Sequence, residues 1–270
     1  MGILDIVHGK DDIINFLSTQ KNLSDDLLAL KRAAETWSGN SPIDVGESGT
    51  LYRLLKFASW KRRLNKQFII SGTLKNRTIT DNPNIVDLPI SELLKLDNHT
   101  SQWATASILL GNPEKIAVQP YKLKLSYEAV EHWKQAREKG KSWLPRYDAT
   151  IILQAETFLD LLKNKKPIFL PEQSEDYCFA YAFGYITAEE GEARWPSLRG
   201  HESDRIQEMT VILDRAHKGL GIPSKDHRVV QAITMWCLVN GRKPNILFPA
   251  AVNKSWPQFW DFIAAYCDIL

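Results

Sequence analysis

Apolar residues recur at helical spacing over much of the chain, broken by short runs with strand character. Ser24-Asp25-Asp26 reads as a capped helix start, with acids in the first turn and Leu27, Leu30, Ala34 and Trp37 following. A turn at 46–49 precedes a helix over 50–60, and a strand over 67–70 ends at Ser71-Gly72. Thr100 or Ser101 opens a helix running through Leu110. A strand over 116–118 and a long amphipathic helix over 126–139, stopped by Gly140, come next. Further on, the pattern predicts strands at 148–153, 168–170 and 245–248, and helices at 156–162, 176–188, 203–216, 227–240 and 256–266.

This alternation places the chain in the α/β or α+β class. Gly, Pro and Lys concentrate between Gly140 and Pro171, which sets the expected boundary between a first domain at 1–145 and a second at 146–270. A turn, a polar motif, a helix and a strand recur near Gly46, Thr100, Asp176 and Asp226, pointing to a repeated folding unit.

Charge narrows the function. The 34 basic and 32 acidic residues leave a net charge of +2, which argues against a general nucleic-acid binder. Lys61-Arg62-Arg63 reads as a solvated helix end. Cys178, Cys237 and Cys267 are widely spaced and suggest neither a disulfide framework nor a zinc knuckle, and the six His show no metal-binding spacing. The expectation is therefore no metal and no cofactor. No secretory signal or membrane-length apolar run is evident, so the sequons at Asn22, Asn76 and Asn98 read as chance and the simplest setting is cytoplasmic, away from membranes. The sequence leaves the oligomeric state open.

Candidate chemistry lies in short polar motifs at predicted helix starts. Gly46-Glu47-Ser48-Gly49-Thr50 leads into a helix bearing Arg53, so backbone N–H groups and a cation gather at one place. Lys75-Asn76-Arg77-Thr78 follows a strand, and Arg77 offers a planar fork for phosphate or carboxylate. Thr100-Ser101-Gln102 sets hydroxyls and an amide at a helix start. Glu202-Ser203-Asp204-Arg205 and Asp226-His227-Arg228 each open an apolar helix, and Asn253-Lys254-Ser255-Trp256-Pro257 precedes the last one. Alone, each has a plain structural reading as a cap, turn or ion-pair network.

Together and in this order, these motifs resemble those of the 5-enolpyruvylshikimate-3-phosphate synthase family, from about Ser24 to the C-terminus. The resemblance implies two domains built from repeated βαβαββ units, closing on a site between them. It implies transfer of the enolpyruvyl group of phosphoenolpyruvate to the 5-hydroxyl of shikimate 3-phosphate, with release of phosphate. Arg77, Arg205, Arg228 and Lys254 then match the phosphoenolpyruvate clamp, with Gly49 and Arg53 nearby. Thr100, Ser101 and Gln102 match the shikimate-phosphate side. Glu202 and Asp176 match the carboxylates that move protons, and Lys254 joins them as a catalytic residue.

The sequence also departs from that pattern. A basic N-terminal S-K-S-x-S-N-R segment is not reproduced before Ser24, and about one folding unit is missing between Tyr127 and Asp176. Glu47 stands where the family usually has Asn, and His201 where it usually has Lys. A related transferase with another acceptor, or a non-catalytic binding protein on a reduced scaffold, are the alternatives these departures leave.

Overall fold

The structure is a computed structural model that describes residues 1–112, 114, 121–144, 174, 177–200 and 202–267. The chain divides into two compact units, 1–148 and 149–270. Among the described residues the fold is mixed and helix-rich, with one small parallel sheet.

The first unit opens with two short helices, α1 (Gly2–Val7) and α2 (Asp12–Thr19), then α3 (Asp25–Thr36). Ser24 caps α3 by accepting a hydrogen bond from the Leu27 N–H, as its sequence predicts. Strand β1 (Ile43–Gly46), helix α4 (Gly49–Lys61) and strand β2 (Phe68–Ile70) form a β-α-β crossover, with the two strands parallel. The alternation in β1 puts Ile43 and Val45 into the core, both fully buried. The chain continues through helices α5 (Ile90–Leu93), α6 (Gln102–Leu109) and α7 (Tyr121–Glu138). Trp103 of α6 is fully buried and stacks on Trp60 of α4, with ring centroids 5.9 Å apart. These aromatic faces seat α6 against α4 and so place both helix starts in one region.

Asp5 supplies the strongest tie in this unit. Its carboxylate is fully buried and accepts from the Ile13 N–H, the Trp133 and Trp143 indoles and Arg137. A buried carboxylate is tolerated where its lone pairs are filled in this way.

The second unit is built around α11 (His227–Val239), whose flanks meet α8 (Tyr177–Ala182) and α10 (Arg205–His217). Val229, Val230, Ala232, Ile233 and Met235 are all fully buried. A helix apolar on nearly every side belongs at the centre of a core. Helix α9 (Ala188–Arg194) precedes α10, and α12 (Phe259–Cys267) comes last among the described residues.

Several expectations are corrected here. The helix expected over 176–188 ends early: α8 stops at Ala182, Gly184 takes a φ of +76°, and Thr187 with Glu190 forms a capping box that starts α9. The strand expected at 245–248 is a single parallel bridge between Ile222 and Ile246. Pro244 and Pro249 bracket it, and a residue without an N–H cannot extend a ladder. Helices α1 and α2 and strand β1 were not expected as such. The predicted elements at 116–118, 148–153, 156–162 and 168–170 lie outside the described residues. Where the resemblance implied repeated βαβαββ units, the described residues carry the one crossover and the one bridge.

Candidate functional site

In the second unit, two N-caps organise the polar cluster. Asp204 caps α10 by accepting from the Gln207 N–H at 3.1 Å, and Asp226 caps α11 by accepting from the Arg228 N–H at 2.9 Å. This sets Arg205, the first residue of α10, against Asp226, the cap of α11. Arg205 donates to both Asp226 oxygens, through Nε at 2.8 Å and an Nη at 3.1 Å, and the two side chains are 3% and 0% exposed. Ser203 Oγ adds a third donor to Asp226 at 3.3 Å.

Glu202 lies beside this pair. One of its oxygens is ion-paired with Lys254 Nζ, and the other lies 2.9 Å from His227 Nδ1. The ionised carboxylate accepts only, so His227 must carry its hydrogen on Nδ1 to complete that bond. Burial favours the neutral acid. The hydrogen bond and charge of His227, then the charges of Lys254 and Arg205, outweigh burial and hold the Glu202 carboxyl below its ordinary 4.5. Asp226 is also lowered: burial works against the ion, and Arg205 more than offsets it.

Arg228 donates to Gln231 Oε1 at 3.4 Å, and Gln231 donates in turn to Ser255 Oγ at 3.2 Å. Among the described residues, Arg228 Nε is buried and has no hydrogen-bond partner. The fully buried Cys178 faces the charges of Arg205 and Arg228, and burial pushes its thiol up to about 12.

The ligand atoms of Glu202, Asp226 and His227 lie within 4.8 Å of one another, a spacing a metal ion could use. Both Asp226 oxygens are engaged by Arg205, and Glu202 is shared by Lys254 and His227. A divalent ion would have to displace fixed cations, so the cluster suits an anion better than a metal.

The first unit holds a second cation pair. Gly49 is the first residue of α4, and a Cβ there would lie 3.0 Å from Arg77 Nη1 and 3.2 Å from Arg53 Nη1. The bare glycine therefore lets two guanidinium groups converge at a helix start. Arg53 is buried. Its Nε donates to Asp97 at 2.7 Å and its Nη1 to Gln102 Oε1 at 2.9 Å, while Gln102 donates to Thr50 Oγ1 at 2.7 Å. Thr100 Oγ1 accepts from the Gln102 N–H at 3.4 Å, and Ser101 sits at the N-cap of α6 without a side-chain cap bond.

Gly49, Arg53, Arg77 and Gln102 thus come together in the first unit, and Glu202, Arg205, Arg228 and Lys254 lie in the second. Asp176 and His201 lie outside the described residues. Sequence reasoning did not single out Asp97, which accepts from Arg53, Trp103 and both the N–H and hydroxyl of Thr80. Burial opposes its charge, but the Thr80 and Arg53 hydrogen bonds lower its carboxyl below the ordinary 3.8. Asp97, Asn98 and His99 all have left-handed φ, at +47°, +57° and +62°. The signal for this turn was the run Asp97-Asn98-His99 before Thr100, since those residue types are enriched in that region.

Comparison of the chain with protein-family models, curated proteins and solved structures finds no match. Among the described residues, no helix is long and apolar enough to cross a membrane.

Proposed function

We propose that the chain is an enolpyruvyl transferase, with that family's two-domain architecture, which moves the carboxyvinyl group of phosphoenolpyruvate to the 5-hydroxyl of shikimate 3-phosphate. The observation that carries this reading is the Glu202 carboxylate held between Lys254 and His227, within the field of Arg205. The reaction needs that combination. The acceptor hydroxyl adds to C2 of phosphoenolpyruvate while C3 gains a proton, and a proton then leaves C3 as phosphate departs. The site must give a proton to C3 and take one back from the resulting methyl group, and a carboxylate sharing a hydrogen with an ammonium suits that exchange. Glu202 and Lys254 are assigned this step, and Asp176 the proton of the attacking hydroxyl. Arg228, whose buried Nε has no hydrogen-bond partner among the described residues, is assigned the phosphoenolpyruvate anion. Arg205 keeps its grip on Asp226 and supplies field rather than a free fork. Thr100, Ser101 and Gln102 are assigned the acceptor phosphate.

The test is phosphate release on mixing the protein with both substrates, with each substrate alone as control. Release that requires both, and falls by roughly 10²-fold or more in Glu202→Gln and Lys254→Ala, is the expected result. A folded protein that releases none with the pair sinks this choice of substrates. A transferase with a different acceptor is the second reading, and Glu47, whose carboxylate is bonded to Thr73 next to Arg77, favours it.

A further inference from the structure

We propose that Glu47 is a specificity-determining residue: it makes the anion site at the start of α4 prefer a phosphate ester bearing a hydroxyl or ammonium beside its charged group over a phosphate ester dianion with no donor. The inference rests on the reading of Gly49 and Arg77 as binding groups. It concerns which ligand is held there, not whether that ligand reacts.

Glu47 lies two residues before Gly49 and is exposed. Its carboxylate accepts from the Thr73 N–H at 3.3 Å and the Thr73 hydroxyl at 3.1 Å. The same hydroxyl accepts from Arg77 Nη2 at 3.0 Å, so one oxygen joins the guanidinium to the carboxylate. The carboxylate is seated rather than loose. Gly72 has a φ of +49°, and a Cβ there would overlap the Glu47 side chain. A glycine is thus needed at that turn both for its backbone and for the space Glu47 fills. A fixed negative charge therefore stands at the edge of the Arg53 and Arg77 pair.

The chemistry of the ligand follows. An ionised carboxylate can only accept hydrogen bonds. A simple phosphomonoester dianion such as methyl phosphate offers acceptors alone, so it meets Glu47 with like charge and no bond to form. A phosphomonoester with a neighbouring hydroxyl or ammonium presents its phosphate to Arg77 beside Gly49 and its donor to Glu47, while Arg53, held by Asp97, adds positive field. Rejection of one ligand and acceptance of the other come from the same side chain.

The test compares methyl phosphate with phosphoethanolamine, titrated into the full chain and into Glu47→Gln at low ionic strength. The wild-type protein should bind phosphoethanolamine more tightly. In Glu47→Gln, methyl phosphate should bind about three- to fivefold more tightly and the preference should disappear, the size expected of one exposed charge. The difference should shrink as salt is added. Glutamine keeps the length and an oxygen for the Thr73 N–H, and circular dichroism checks that the variant folds. An unchanged affinity ratio overturns the proposal, and so does failure of both ligands to bind either protein. Phosphate release from phosphoenolpyruvate and shikimate 3-phosphate is read separately. A shifted ratio without turnover supports the proposal and sinks the transferase reading; turnover with an unchanged ratio does the opposite.

Discussion

Asp226 serves two structures at once, capping α11 through the Arg228 N–H and gripping Arg205 with both oxygens. With the pair 3% and 0% exposed, neither charge reaches water if the other is removed. Asp226→Asn should therefore cost about 3–5 kcal/mol, since it strands a buried guanidinium. Arg205→Lys should also destabilise, because an ammonium cannot reproduce the two-pronged contact. Both are read as a lower urea midpoint at unchanged slope. Gly49→Ala should behave differently. Alanine is the better helix former, so stability should hold within about 1 kcal/mol or rise. The added methyl, 3.0 Å from Arg77 Nη1, should still push that guanidinium aside and weaken phosphate binding. The loss should be roughly tenfold, the scale of one impaired charge-assisted hydrogen bond. A variant that lost stability and affinity together would contradict this account of the glycine.

Between elements, the ties are made by residues far apart in sequence. Asp5 reaches Trp143 across 138 positions and Ile13 across 8, fastening α1 to the start of α2 and the end of α7. Asp5→Ala should remove hydrogen-exchange protection from α1, α2 and the last turns of α7 before the rest of the first unit. Protection lost evenly over that unit would show that Asp5 is no local fastener. The left-handed run at 97–99 gives an opposite prediction. Asn98 is exposed with φ +57°, so Asn98→Gly should relieve up to about 1 kcal/mol of strain and raise the melting temperature. These cases mark what the sequence discloses. Ser24, Asp204 and Asp226 were legible as helix starts because a cap acts within three residues of itself. The Glu202, Asp226 and Arg228 motifs were legible as polar helix openings for the same reason. Asp5 and Asp97 were not singled out, because their donors come from distant parts of the chain. Strand β1 hid in a four-residue alternation running into Gly46, and α1 was too short for its period to stand out.

At the scale of the whole molecule, each unit keeps ionised carboxylates among buried donors. Asp97 lies below its ordinary 3.8 in the first unit, and Asp226 and Glu202 lie below 3.8 and 4.5 in the second. The folded chain thus binds fewer protons than the unfolded chain in acid, and stability rises with pH there. The stabilisation should be complete above about pH 5 and lost as pH falls below those ordinary values. Urea midpoints should be flat from neutral pH to about 5 and then drop; Asp97→Asn should soften the drop, and a flat profile to pH 3 would refute it. The buried Cys178 has one more consequence. A thiol sealed in the core, with its proton held to about pH 12, cannot meet an alkylating reagent while the second unit is closed. Its rate of modification, followed by peptide mass at Cys178, is therefore a clock: each alkylated molecule records one opening of that core, and ligands that hold the Arg205 and Arg228 helices shut should slow it.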